Sequence, residues 1–155
     1  MKRLFHYTRS GNLKKILVAG KIIQADTFVE PPEIPVVWFS FRQDWEPTAT
    51  PGLIDASTGK RRSLTFEEFA ARETPARIEI DSEAAPLDWR AWRKTSGVKA
   101  RMVKALEESA LRQDTDTADW RMSFDPVPLE KWRAVEVYVN RQWCDFETLL
   151  SLPNN

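Results

Sequence analysis

Residues 4–20 read LFHYTRSGNLKKILVAG, and this stretch joins a short strand directly to a helix. Phe5 and Tyr7 fall on one face of the strand that the alternation predicts over Leu4–Thr8. Leucine and isoleucine then recur at helical spacing, and Gly20 is typical of the left-handed residue that ends a helix. A strand followed at once by an amphipathic helix indicates a fold that mixes α and β structure.

Three later stretches predict strands, because they are rich in β-branched and aromatic residues. They are Val36–Phe41, Arg77–Asp81 and Arg133–Asn140, of which the last is the clearest. Leu87–Arg112 predicts a helical region that breaks near Ser96–Gly97. The sum is an α+β protein.

The segment that follows the predicted strand Val36–Phe41 predicts a different kind of structure. Residues 42–62 hold Pro47, Pro51 and Gly52, and predict a long irregular loop. Within it, Arg42–Thr50 is charged and aromatic, which fits either a lid over a pocket or a solvated connection. No internal repeat or low-complexity stretch divides the chain, so we expect one domain over residues 1–155.

The amino-acid composition excludes several kinds of functional site. The 155 residues include one cysteine, Cys144, and one histidine, His6, so a zinc site of the Cys/His type, an iron–sulfur cluster and a disulfide framework are excluded. An all-carboxylate Mg or Ca site stays open, although no EF-hand-like loop is visible. No segment approaches the roughly 20 apolar residues of a spanning helix, and the N-terminus lacks a signal-peptide core. We therefore expect a cytoplasmic protein.

Two ionisable residues on predicted strands stand out as candidates for chemistry. His6 ends the first strand, and an imidazole supplies one hydrogen-bond donor and one acceptor, which suits a pair of ribose hydroxyls. Glu136 lies in a valine-rich late strand, on the face that it shares with Ala134 and Tyr138. A carboxylate beside a sugar stabilises an oxocarbenium ion. The alternatives are a packed histidine and an exposed carboxylate on an ordinary amphipathic strand.

The order of these features resembles the diphtheria-toxin-like ADP-ribosyltransferases and their relatives, which include DNA-modifying toxins and RNA 2′-phosphotransferases. The resemblance lies in the strand that carries His6-Tyr7-Thr8, the helix closed by Gly20, the strand Val37–Ser40 and the late strand around Glu136. It covers the first 40 residues and that late strand. It implies an ADP-ribosyltransferase-like fold of split antiparallel β-sheets with short flanking helices.

The resemblance also implies a reaction and a set of site residues. Glu136 and His6 would be catalytic, and NAD+ would be the substrate, with no metal required. The NAD+-binding residues would be His6, Tyr7, Thr8, Trp38 and Ser40. This chain departs from the diphtheria-toxin pattern because its two tyrosines are Tyr7 and Tyr138, so the residues that stack on the nicotinamide ring differ.

The function implied is mono-ADP-ribosylation of a macromolecular acceptor, protein or nucleic acid. A bacterial or phage toxin or counter-defence factor would be typical, with an inhibitor or antitoxin as its partner. One alternative is a non-catalytic module that binds a nucleic acid or an acidic protein, since residues 1–25 carry six basic groups and no acid. A 2′-phosphotransferase and a metal-dependent nuclease are further alternatives.

Overall fold

A computed structural model describes residues 2–150 of the chain. Its ten strands are β1 Leu4–Arg9, β2 Lys21–Ile22, β3 Val37–Ser40, β4 Gly52–Ile54, β5 Arg61–Ser63, β6 Pro75–Ile80, β7 Trp120–Ser123, β8 Val127–Pro128, β9 Trp132–Val139 and β10 Gln142–Asp145. Its five α-helices are α1 Ser10–Ala19, α2 Phe66–Arg72, α3 Trp89–Thr95, α4 Ala100–Arg112 and α5 Phe146–Leu150. The sequence also predicts a terminal turn over residues 146–152, of which residues 151 and 152 lie outside the described residues.

Six of the strands form one antiparallel sheet with β1 near its centre. The strand order is β10-β9-β6-β1-β3-β7, while the distant strands β2 and β8 form a second, two-stranded sheet and β4 with β5 form a hairpin. The expectation of two separate half-sheets is therefore replaced by one continuous sheet. Its weakest joint is between β1 and β3, where Phe5 opposite Ser40 is the single paired position, whereas β1 and β6 pair over six positions.

The α+β prediction is confirmed, and several local predictions are confirmed with it. Gly20 ends α1 with a φ of 67° and donates its N–H to the carbonyls of Ile16 and Leu17. The predicted break in the long helical region separates α3 from α4. The valine-rich stretch forms β9, and β10 turns back to pair with it. These features depend on local sequence, which explains why they could be predicted.

The prediction of an irregular loop over residues 42–62 is wrong in its second half. A short 3₁₀ turn spans Pro47–Ala49, and β4 and β5 then form an exposed hairpin. The turn of that hairpin is built by the Asp55 carboxylate, which accepts hydrogen bonds from the Ser57 backbone and hydroxyl, and by Gly59 at a φ of 68°. An Asx-type turn of this length gives a weaker sequence signal than a two-residue Asn-Gly turn.

The two faces of the sheet carry different cores. One face is aliphatic and packs beneath α1, with Leu13 of that helix against Leu4, Val37 and Ile78 of the sheet. The opposite face is aromatic and is covered by α3, α4 and α2. The clusters packed on this face include seven large side chains, from the sheet and from the elements that cover it: Phe5, Tyr7, Trp45, Phe69, Trp92, Trp120 and Met122.

Candidate functional site

A cavity of about 330 Å³ opens on the aromatic face, over the weak joint between β1 and β3. The floor is formed by those two strands, one wall by the turn Pro47–Ala49, and the other wall by α4 and β7. The lining residues are mostly apolar: Phe5, His6, Tyr7, Trp38, Phe39, Ser40, Glu46, Thr48, Ala49, Leu106, Ser109 and Trp120. The volume lies at the lower end of the roughly 300–1,000 Å³ of ligand pockets.

His6 lies on the aliphatic face of the sheet, with its ring 5.8 Å from that of Phe39, and it borders the cavity at the joint between β1 and β3. Its Nδ1 lies 2.9 Å from the carbonyl oxygen of Trp38, and because a carbonyl only accepts, Nδ1 carries the proton and donates. Burial lowers the pKa of the His6 imidazole, although the hydrogen bond to Trp38 acts in the opposite direction. The ring is therefore neutral at neutral pH, and its Nε2 keeps a lone pair that no described residue of the protein engages.

Indole and phenyl rings form the walls of the cavity. The Trp38 and Trp120 rings meet edge to face, with centroids 6.0 Å apart and planes at 88°. Trp38 also contacts Trp92 edge to face at 5.0 Å, so its position is fixed from behind. Aromatic walls of this kind hold a flat ring by stacking, and they attract a cationic ring more strongly.

The cavity contains one carboxylate among its described lining residues, that of Glu46. This side chain is 5% exposed and accepts four hydrogen bonds, from the Ser40 hydroxyl at 2.8 Å, the Thr48 hydroxyl at 2.7 Å, the Thr48 N–H at 3.3 Å and the Thr115 hydroxyl at 3.2 Å. Hydroxyls and an amide neutralise none of its charge. A cation, or a group that becomes cationic during a reaction, is therefore favoured near it.

The ring of Tyr7 lines the cavity, whereas its hydroxyl is hydrogen-bonded within the protein. The hydroxyl donates to the carbonyl oxygen of Arg42, and burial raises the pKa of Tyr7, so the phenol stays protonated. The ring lies edge to face with Trp45, with centroids 5.0 Å apart. Thr8, which was expected to join this group, is not among the residues that line the cavity.

The structure does not bring Glu136 together with His6. Glu136 pairs with Arg77 on β6, and Arg77 pairs with Tyr7 on β1, whereas His6 pairs with Ile78. Neighbours along a strand point to opposite faces, so the side chains of Glu136 and His6 leave the sheet on opposite sides. Glu136 also lies two strands from β1, about 10 Å at ordinary strand spacing.

The Glu136 carboxylate is engaged elsewhere. Its Oε2 accepts from Arg77 Nε at 2.7 Å and from Arg3 Nη2 at 3.3 Å. Arg77 is 4% exposed and sits between the rings of Phe5 and Trp143, at 4.1 Å and 4.2 Å from their centroids. The catalytic role predicted for Glu136 would require contact with the cavity, and this arrangement assigns it to an ion pair instead.

Sequence reasoning identified four cavity residues and missed others. His6, Tyr7, Trp38 and Ser40 were expected to share a pocket, and all four line this one. Glu46 lies within the charged and aromatic segment Arg42–Thr50, whose position after β3 was the available signal. Leu106, Ser109 and Trp120 come from distant helix and strand positions and gave no local signal.

The described residues hold no group of three or more His, Cys, Asp or Glu side chains placed to bind a metal ion. Among the same residues, no helix is long and apolar enough to cross a membrane. Comparison of the chain with family models, with curated proteins and with solved structures found no match. The function therefore has to be argued from the cavity itself.

Proposed function

We propose that the protein is an NAD+-dependent mono-ADP-ribosyltransferase that modifies a macromolecular acceptor, with an ADP-ribosyltransferase-like fold in which the two half-sheets are joined at the single β1–β3 pair Phe5–Ser40. The cavity over the β1–β3 joint would take the nicotinamide end of NAD+. The observation that carries the proposal is the presence of His6, Tyr7, Trp38 and Ser40 in one aromatic-walled cavity that also holds a buried carboxylate.

The size of the cavity limits which part of NAD+ it would hold. At about 330 Å³ it accommodates the nicotinamide ring and the adjoining ribose, and the remainder of the dinucleotide would lie outside. The rings of Trp38 and Trp120 suit the flat, positively charged nicotinamide. The unengaged Nε2 of His6 suits a ribose hydroxyl, because it accepts and never donates in this tautomer.

Glu46 replaces Glu136 in this proposal as the carboxylate beside the sugar. When the bond between nicotinamide and ribose breaks, its electron pair goes to the nicotinamide nitrogen, and neutral nicotinamide leaves. Positive charge develops on the ribose, where a nearby carboxylate stabilises it. A nucleophile on the acceptor then forms the new bond to the sugar carbon and loses its proton to solvent.

The test is release of nicotinamide from NAD+ by the purified protein with cell extract, compared between Glu46→Gln and Glu136→Gln. We expect Glu46→Gln to lower the rate per folded molecule by about 100-fold or more, and Glu136→Gln to leave it unchanged. If only Glu136→Gln abolishes release, the assignment of the carboxylate is wrong. If nicotinamide is not released and NAD+ leaves the Tm unchanged, the transferase proposal fails.

A second candidate function is non-catalytic binding of a nucleic acid or an acidic protein. The hydrogen bonding of Glu46 favours it, because a carboxylate that already accepts four hydrogen bonds is well satisfied as a structural group. In that case affinity for the partner would fall steeply with salt, and NAD+ would not be consumed.

A further inference from the structure

An exposed aromatic ring and a guanidinium lie together on the surface, in a patch that we call the Phe28 rim (Phe28 and Arg61, with Lys60 preceding Arg61 in the chain). The Phe28 side chain is 71% exposed, and its backbone φ of 63° is rare for a bulky residue. The Arg61 guanidinium lies 6.0 Å from the centre of the Phe28 ring. An exposed phenyl ring with a guanidinium over it forms a flat surface that is open to solvent.

Chain segments and an ion pair connect the rim to the two elements that form the walls of the cavity. Arg61 begins β5, whose partner β4 follows the turn Pro47–Ala49, and Thr48 and Ala49 of that turn line the cavity. On the other side, Glu30 follows Phe28 by two residues and binds Arg101 of α4 at 2.5 Å. The same helix supplies Leu106 and Ser109 to the cavity wall, so a chain lying along the rim would be close to the cavity.

Cationic charge on the rim is free to meet a ligand. Lys60 and Arg61 are exposed and have no ion-pair partner among the described residues. Of the acidic residues near the rim, Glu68 is paired with Arg62 at 2.8 Å and Glu30 with Arg101 and Lys99, whereas the exposed Asp26, two residues before Phe28, has no ion-pair partner among the described residues. The rim therefore offers an unpaired guanidinium beside an exposed ring, and Lys60, the residue before Arg61, adds a second exposed cation.

We propose that the Phe28 rim binds single-stranded nucleic acid. On the basis of the proposed function, the acceptor that receives ADP-ribose is then a nucleic acid. Unpaired bases stack on aromatic and guanidinium planes, while lysine and arginine contact the phosphates. In a duplex the bases are already stacked, so the ring would gain little. An acidic protein would neutralise Lys60 and Arg61 without using the exposed ring.

The experiment measures fluorescence anisotropy of labelled, mixed-sequence single strands of roughly 12 nucleotides, as DNA and as RNA. We expect Phe28→Ala to weaken binding about tenfold, and Phe28→Leu to do the same, because leucine keeps apolar bulk but has no π face. Arg61→Ala should lower the slope of log affinity against log salt by about 0.7. The double variant Arg90→Ala/Lys94→Ala, which removes exposed cations from α3, should leave the affinity unchanged.

Several results would overturn the inference. They are absence of binding, binding that Phe28→Ala does not alter, and equal competition by duplex DNA or by polyglutamate. Because no NAD+ is present, failure here is distinguishable from failure of the transferase. Nicotinamide release without binding of single strands at the rim would refute only the acceptor class. Phe28-dependent binding without nicotinamide release would support the rim and refute the transferase.

Discussion

The aromatic face of the sheet has two halves that use similar side chains in different ways. Over β6 and β9, Arg77 fills the space between the rings of Phe5 and Trp143 and binds Glu136 at 2.7 Å. Over β1 and β3, no lysine or arginine is among the described residues that line the cavity, and hydroxyls hold Glu46. A buried guanidinium completes one half, while the other half remains open.

The difference bears on function. A carboxylate paired with a buried cation serves the fold, because its charge is already neutralised. Glu46 has hydroxyls and an amide as its partners and no cation among the described residues, so a cationic ligand would be favoured beside it. Glu136 and Glu46 are thus distinguished by their partners and not by their residue type.

The largest expected effect on stability comes from breaking the Arg77 half. Glu136→Ala leaves the guanidinium of Arg77 buried without its carboxylate, so we expect the free energy of unfolding to fall by about 3 kcal/mol. Denaturant unfolding measures this loss. The double variant Glu136→Ala/Arg77→Met, which removes both charges, should recover most of it. A loss below about 1 kcal/mol would contradict the structural role of the pair.

How well the sequence predicts these two halves depends on how local the information is. The alternation of valines predicts β9 and the face on which Glu136 lies, because both follow from a period of two. The pairing of Glu136 with Arg77 joins residues 59 positions apart, and register between distant strands is not written in a local pattern. For this reason the local sequence does not determine whether Glu136 and His6 meet.

The residues of the cavity, too, could be predicted only in part from the sequence. His6, Tyr7, Trp38 and Ser40 are grouped by the family resemblance, and in the structure they lie on the adjacent strands β1 and β3. Glu46 could be suspected only as part of the segment Arg42–Thr50, since its approach to the cavity depends on hydrogen bonds to Ser40 and to the distant Thr115. The walls from α4 and β7 depend entirely on tertiary packing.

The stability of the protein is expected to depend on pH through His6, which lines the cavity. Since the folded pKa of His6 is lowered, the unfolded chain takes up a proton first as the pH falls through about 6.5. Stability is therefore fully present above that pH and decreases below it, by up to about 1.4 kcal/mol per pH unit. Urea unfolding of the wild type and of His6→Asn is compared across this range. The contribution of the carboxylates to the pH dependence is the same in both proteins, so the difference between them isolates the effect of His6. An identical pH dependence in the two proteins would contradict the prediction.

A smaller loss of stability is expected from Arg3, the second arginine that binds Glu136. Arg3 lies 3.3 Å from the carboxylate and its side chain is 39% exposed, whereas Arg77 lies at 2.7 Å and 5% exposed. We expect Arg3→Gln to cost about 1 kcal/mol or less, and added salt to reduce that difference. Chemical denaturation at low and high salt measures both. A cost equal to that of Glu136→Ala would mean that burial does not distinguish the two arginines.

The smallest expected change in stability comes from filling the open half. Ser109 of α4 lines the cavity, so Ser109→Leu places apolar atoms in space that the protein leaves empty. The gain from burying them offsets the loss of the 2.9 Å hydrogen bond from Gln113, and the free energy of unfolding should change by no more than about 0.5 kcal/mol. The NAD+-induced rise in Tm should nevertheless disappear, whereas Glu108→Leu, on the solvent side of the same helix, should retain it. If Ser109→Leu keeps the full NAD+ effect, the ligand binds elsewhere, because a ligand cannot occupy space that a leucine side chain has taken.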